Sequence, residues 1–501
     1  MELGNNILAL VEPSIRPKEL KTVADGEDNG GPKVTKTFGI DTPVITINGY
    51  SFERGDVLDF EISNEGIIPF VDVTLLDSKK AFGIDAFPRD GDVFTVYIGS
   101  KNQSTFKSIH IDVEILNIST DPGEEGDPKK VSISGRVSIP KLFAENCRHL
   151  EVGSSLDHLT EVAQELGLGL ASNIDVTTDD QVRIQAFINY IDFIKEIVSS
   201  SYVSDESFQN FFIDPYYYLN FVDINKIFNT KNPPLDEFED LVSSGAVSFA
   251  EGEGVDEDDD SIPTKLFLTN NRQFKQSNQY VNQIDIENQS NSITELHGHF
   301  REALVYDNNA EPDARKEEFT IEALSTNPEN ITDITEPLKG NRESEGYVDL
   351  VKHKYIGRQD VGEDGLGNVH QNHVFTQLNN IRNFDETQKI KITLTLESFN
   401  PSLYRYQKVP VLWYSYDKTV VGNTVDLKKQ KKELGFTEST IEVPSDDNEE
   451  PDQALEEFVT GYYLVESIDI IYKQSVGRFT QKVTLIRRDW PARMGAIEPN
   501  T

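Results

Sequence analysis

Eight histidines stand in the 501-residue sequence, and four form two local pairs, His297-x-His299 and His370-x-x-His373. Residues two apart on a strand point to one face, so the first pair could chelate Zn²⁺ or Ni²⁺. Four imidazoles from two loops could close a tetrahedral site. No cysteine or fixed carboxylate accompanies either pair, so loop histidines are the plainer reading, and no metal or other cofactor is expected. Cys147 lies near His149 and could mimic a thiol–imidazole pair, although it falls where the hydrophobic period changes and reads better as a structural or partly exposed cysteine. Tyr216, Tyr217 and Tyr218, with Phe211, Phe212 and Phe221, could stack on a sugar. Such a cluster more commonly packs one unit onto its neighbour, each phenol reaching a polar edge. The run EGEGVDEDDD (251–260) offers oxygen ligands without the spacing of a calcium loop, and reads as a solvated acidic segment.

No G-x-S-x-G, P-loop, H-E-x-x-H or C-x-x-C pattern occurs in the sequence. With 86 Asp and Glu, carboxylate pairs arise everywhere by chance, so spacing cannot pick out a glycosidase dyad. No catalytic, cofactor-binding or metal residue is assigned, and the chain is expected not to be an enzyme.

The same 86 acids against 47 Lys and Arg give a formal charge of −39. That argues against a nucleic-acid binder, which needs a basic face to displace phosphate counterions, and against an anionic membrane surface. Aromatic residues at 10% and apolar residues at 37% are too many for a disordered acidic chain. A single cysteine excludes an internal disulfide and fits a reducing compartment. The N-terminal MELGNNILALVEPS lacks a basic region, and no window approaches the ~18 apolar residues of a membrane span, so a soluble, cytosolically made protein is expected.

Positioning elements follow from the hydrophobic period. Residues 1–43 show little periodicity and read as a loose N-terminal arm. Over 44–141, runs such as VDVTLL (71–76), VFTVYI (93–98), IHIDVEILNI (109–118) and VSISGRVSI (131–139) alternate at period two between Gly/Pro/Asp turns. Five or six strands without an interleaved helix predict an antiparallel sheet or barrel.

Over 142–232 the period turns helical. Leu156, Leu159, Val162, Ala163 and Leu166 share a face, with Ser154 and Asp157 as a capping box and Gly167 as a stop. A second helix is predicted from Thr178, its face running Ile184, Phe187, Ile188, Ile191, Ile194 and Val198. An acidic linker spans 233–262. Strand character resumes over 263–325, a loop-rich segment fills 326–385, and strands return over 386–490 around a second acidic loop at 445–457. The closing stretch predicts a hairpin, Leu464–Tyr472 pairing with Phe479, Gln481, Val483 and Leu485 about a turn at Gly477. Residues 491–501 form a tail.

Three stretches together resemble the central hub proteins of contractile bacteriophage tail baseplates. ISNEGIIPFVDVTLLD (62–77) with FPRDGDVFTVYI (87–98) is similar to the family's first barrel. Residues 154–229 resemble its helical insertion, and GYYLVESIDIIYKQSVGRFTQKVTLIRRDW (461–490) resembles the closing hairpin of its second barrel. The resemblance implies a mainly β chain with a helical insertion, in which two tandem tube-type antiparallel barrels build a trimeric, pseudo-sixfold ring. The first barrel would be 44–141, the second 263–325 with 386–490. Implied partners are two further copies of the chain, the threefold central spike, the sixfold inner tail tube or its initiator, and surrounding wedge proteins. DNA would pass through without specific binding, and no membrane is involved. Localisation would be the virion baseplate, assembled in the host cytoplasm. The acidic loops and N-terminal arm depart from the family pattern. Other readings are another baseplate component, a cell-wall hydrolase, or a metal- or carbohydrate-binding module.

Overall fold

The computed structural model describes residues 7–15, 42–52, 55–78, 82, 87–89, 91–99, 108–121, 128–230, 232, 233, 235, 238, 266–275, 277–288, 302–306, 316–320, 354–356, 376, 380, 390–415, 454–456 and 459–487. Strands dominate them. Part of the segment read as a loose arm is ordered: β1 (Leu8–Val11) joins a sheet further along the chain, and Ile7 is buried at its start. The Leu-Ala-Leu-Val run is too short to show a period, and its partner strand lies about 160 residues on, so no local pattern marks it.

The first β unit comprises β2 (Val44–Ile47), β3 (Tyr50–Phe52), β4 (Val57–Ser63), β5 (Phe70–Asp77), β6 (Val93–Ile98), β7 (Ile109–Asp121) and β8 (Lys129–Val137). Their spatial order is β4-β5-β8-β7-β6-β2-β3, every neighbour antiparallel. Alternation places Ile62, Val71, Val73, Phe94, Val96, Ile111, Val113 and Val131 inward, none more than 2% exposed. Asn48 and Gly49 close the β2–β3 hairpin with φ of 49° and 83°, the doubly left-handed geometry that favours Asn-Gly in a two-residue loop.

Residues 142–232 are not a helical unit but a mixed one. It holds β9 (Glu145–Gly153), α1 (Ser155–Leu166), β10 (Gly169–Ser172), β11 (Gln181–Asn189), α2 (Tyr190–Ser199), β12 (Gln209–Ile213), β13 (Tyr218–Asp223) and the single turn α3 (Ile224–Phe228). The first helix follows its sequence signals. Ser154 and Asp157 form the reciprocal capping box, and Gly167 ends the helix at φ 76°. Gly167 also accepts the Ser14 and Ile15 backbone N–H groups through its carbonyl, which ties the N-terminal segment down.

The second helix starts twelve residues later than its apolar spacing implies, and the reason is an inverted strand. In β11 the polar residues Gln181, Arg183 and Gln185 are buried, at 2%, 7% and 0% exposure, whereas Ile184 and Phe187 face outward. Helical order begins only where the Asn189 side chain caps α2 by accepting the Asp192 N–H. A four-stranded sheet, β1-β10-β13-β12, and a separate two-stranded ribbon of β9 and β11 complete this unit.

The second β unit contains β14 (Leu268–Thr269), β15 (Val281–Asn288), β19 (Ile390–Leu396), β20 (Lys408–Leu412), β23 (Gly461–Lys473) and β24 (Arg478–Arg487). Between β15 and β19, the strands β16 (Glu302–Tyr306), β17 (Lys316–Thr320) and β18 (Lys354–Ile356) form a small sheet of their own. The strands β21 (Tyr414–Ser415) and β22 (Ala454–Leu455) pair with each other. The closing hairpin has the expected register, Tyr472 opposite Phe479 and Ile470 opposite Gln481, with Gly477 at φ 71° in its turn. The two β units merge into one thirteen-stranded sheet.

Candidate functional site: the junction of three structural units

One long strand makes the merger. Along one edge, the first half of β23 pairs antiparallel with β20, from Gly461 opposite Val411 to Leu464 opposite Lys408. Its second half pairs antiparallel with β4 of the first unit, from Asp469 opposite Ser63 to Lys473 opposite Asp59. Its other edge carries β24 from Leu464 to Lys473. The change of partner coincides with a bulge between Val465 and Ser467, the kind of irregularity that bends a strand and raises its twist. The extra residue there, Glu466, forms an ion pair of 2.9 Å with Lys391 of β19. Ser63 donates to Asp469 at 2.7 Å across the seam. Backbone pairing, rather than a flexible linker, therefore sets the relation between the two units.

The mixed unit locks onto the same seam. The Arg405 guanidinium donates to the carbonyls of Gly66 (2.6 Å) and Glu65 (3.0 Å) and lies 4.8 Å from the Phe212 ring centroid. Ile213 donates its N–H to Ile67 at 2.7 Å, and Asn210 donates to the Tyr406 hydroxyl at 2.6 Å. Lys408 reaches back to the carbonyl of Phe228 at 2.9 Å. Where the units meet, a cavity of about 60 Å³ is lined by Asn64, Phe212, Asp214, Tyr404, Arg405 and Gln481, among others. Asn64 Oδ1 and Arg405 Nε are buried there without a protein hydrogen-bond partner. That size and polarity suit a few ordered waters, not a nucleotide or saccharide. Burial, then the nearby Asp214 carboxylate, pushes the Tyr404 phenol above its ordinary value.

The tyrosines belong to this junction as packing residues. Tyr216, Tyr217 and Tyr218 are 8%, 1% and 0% exposed, so none offers a free face for sugar stacking. Tyr217 sits at φ 65° in the β12–β13 turn, and its hydroxyl accepts the Asp112 N–H of β7 at 2.8 Å. The Tyr218 hydroxyl donates to Glu12. The Asp214 carboxylate accepts the N–H groups of Tyr216 and Tyr218, each at 2.9 Å, which holds the turn.

The solvent side of the joined sheet is rich in hydroxyls and carboxylates. Thr74 and Ser132 share a bond of 3.1 Å, and Thr95 donates to Asp112 at 2.9 Å. Glu61 lies directly opposite Asp72, and burial, then Asp469 and Asp72, holds the Glu61 carboxyl above the usual carboxylate range, against the pull of Lys482 and Lys473. A carboxyl raised in the folded state gives stability that is complete below its unfolded value of 4.5 and lost as pH rises through the folded value. The E61Q variant is therefore expected to melt higher than the parent at pH 7, with the difference shrinking towards pH 4.5. Melting curves across that range check this, and a lower E61Q melting point at pH 7 would refute it.

The remaining sequence candidates divide. Cys147 is exposed on β9, and His149 lies two residues along on the same face of the ribbon. His297, His299, His370 and His373 lie outside the described residues, as do the 251–260 run and most of 445–457.

A buried cluster that the sequence reading missed joins Ser155, Asp179, Arg183 and His158. Its residue types resemble a hydrolytic triad, but its bonds do not. Ser155 Oγ donates to Asp179 and accepts from Arg183 Nη2 at 2.6 Å. His158 Nδ1 accepts from Arg183 Nε at 3.1 Å, and its Nε2 donates to the Glu151 carbonyl at 2.9 Å. Both imidazole nitrogens are thus engaged, and burial, with Arg183 adding to it, lowers the ring's pKa. Neither nitrogen can take a proton from Ser155, which is itself fully buried. The cluster fastens α1 to β11. The one clue in the sequence is the polar alternation Gln181-x-Arg183-x-Gln185.

No family model matches the sequence, and no curated protein matches it. Solved structures do. A tail protein from Neisseria meningitidis is 10% identical, with 90% of this chain and 97% of that chain covered at a TM-score of 0.44. A 43 kDa tail protein of prophage MuSo2 from Shewanella oneidensis is 11% identical, with 89% and 98% covered at 0.47. An Escherichia coli type VI secretion component, described as structurally similar to the T4 bacteriophage tail proteins gp27 and gp5, is 8% identical, with 87% and 75% covered at 0.38.

Proposed function

We propose that the chain is the structural hub of a contractile phage tail baseplate, acting as a homotrimer without catalytic activity. The observation that carries this is the double pairing of β23, which fixes two mainly antiparallel β units side by side in one chain. Three such chains supply six units, so one ring can face a sixfold inner tube, or its initiator, on one side and a threefold spike on the other. Among the described residues, the thirteen-stranded sheet ends at β15, at β3 and, on a side branch, at β14, and pairing between copies would cover edges that a monomer leaves open. In such a ring the mixed unit and loops would meet the wedge proteins. With a formal charge of −39 and a sheet face on which carboxylates stand beside Lys473 and Lys482, such a ring would hold DNA weakly, so the genome could pass. The protein would reside in the virion baseplate after assembly in the host cytoplasm.

Light scattering on the purified chain, alone and mixed with its spike protein, tests the reading. A trimer in either sample is expected. A strictly monomeric state in both would overturn it.

A further inference from the structure

The ribbon of β9 and β11 turns an apolar strip to solvent. Residues directly opposite in an antiparallel pair share a face, so Ile184 with His149, and Ala186 with Cys147, lie on the outer side. Arg183 with Leu150, and Gln185 with Arg148, lie on the inner side. The register then jumps from Ala186–Cys147 to Ile188–Asn146, which leaves Phe187 as the extra residue of a bulge. Its φ is 56°, in the left-handed region that bulky side chains avoid, and the residue is 72% exposed. Ile184 at 60% and Val152 at 53% extend the strip. Nothing among the described residues covers it. A bulge that re-aims an aromatic side chain into water at the cost of backbone strain gains the fold nothing, so the gain must come from contact with something else.

Charge identifies the kind of contact. Glu145 and Glu151 on β9 and Asp180 just before β11 are exposed around the strip. Both arginines of the ribbon are turned inward and engaged, Arg148 with Glu161 and Glu165, and Arg183 within the buried cluster. The outer face thus carries Ile184, Ala186, Cys147 and Phe187 beside His149, with an acidic rim and neither lysine nor arginine turned outward on the ribbon.

We propose that this face is a docking surface for a partner protein that presents apolar residues flanked by lysine or arginine, with Phe187 as the anchor. The inference concerns a surface of the single chain and stands apart from the trimeric hub reading, so either can fail alone.

The probe is a short synthetic peptide alternating lysine with valine and phenylalanine, titrated by fluorescence anisotropy. Cys147 reports the location, because a ligand on the outer face slows its alkylation. Expected results are saturable binding, slower Cys147 alkylation, and about a tenfold loss of affinity in F187G, the scale of a moderate anchor residue. F187G should also melt higher than the parent, since glycine relieves the left-handed backbone. Unchanged affinity in F187G, unaltered Cys147 alkylation, or equal binding of a lysine–serine peptide would each overturn the proposal. A lower melting point for F187G would do so too, by showing that the ring packs within its own chain.

Discussion

Truncating Ile470 to alanine should cost about 2–5 kcal/mol, the range for emptying a buried aliphatic site. Ile470 is 3% exposed and stands opposite Ile62, which is fully buried, at the centre of the seam between β4 and β23. The neighbouring I471A change is a matched control, because Ile471 lies on the outer face opposite Glu61 and should cost about 1 kcal/mol or less. Location distinguishes the effect from ordinary core damage. In I470A, amide exchange should accelerate first in β4 and in the second half of β23, while the first half of β23, paired with β20, stays protected. Urea unfolding should broaden or split as the units lose their coupling. Hydrogen exchange with urea titration measures both, and uniform loss of protection through both units would show that the seam does not hold them together.

Replacing Arg183 by leucine should cost about 3–5 kcal/mol, because it strips a buried carboxylate of its cation. Asp179 has no side-chain exposure and lies 4.0 Å from Arg183 Nη2. It also accepts the N–H groups of Ser155 at 2.9 Å and Tyr202 at 3.0 Å, so it cannot turn to water without undoing the start of α1. Burial outweighs the attraction of Asp179 and lowers the Arg183 pKa to about 10, which leaves the guanidinium charged at neutral pH. The double variant D179N/R183L should recover a large part of the loss, since it removes both charges together. A denaturation cycle over the four proteins tests this. Additive losses would mean that the two side chains act separately.

How much was legible in the residues depended on whether a signal was local. The capping box of α1, its Gly167 stop and the β23–β24 hairpin all sit within a few residues of their partners, and each formed as read. The tyrosines were read as packing residues, and their burial follows from β-favouring aromatics meeting at a three-way contact. In β11 the rule that apolar residues point inward failed, because a polar cluster occupies the inside and sends Ile184 and Phe187 outward. The seam was invisible for another reason. β4 falls within the 44–141 region read as strands and β23 within the closing hairpin, but nothing in either one names the other.

That separation has a consequence for how the protein is made. Ser63 and Asp469 are 406 positions apart. At the usual speed of ribosomal synthesis, roughly 20–80 s pass between the emergence of one and the other. During that interval the β4 edge has no β23 to complete it, and it needs shelter from neighbouring nascent chains on the same message. A prematurely terminated product keeps this edge open permanently. Such a fragment could not present both β units in their fixed relation, so that relation exists only once translation has reached the end of β24.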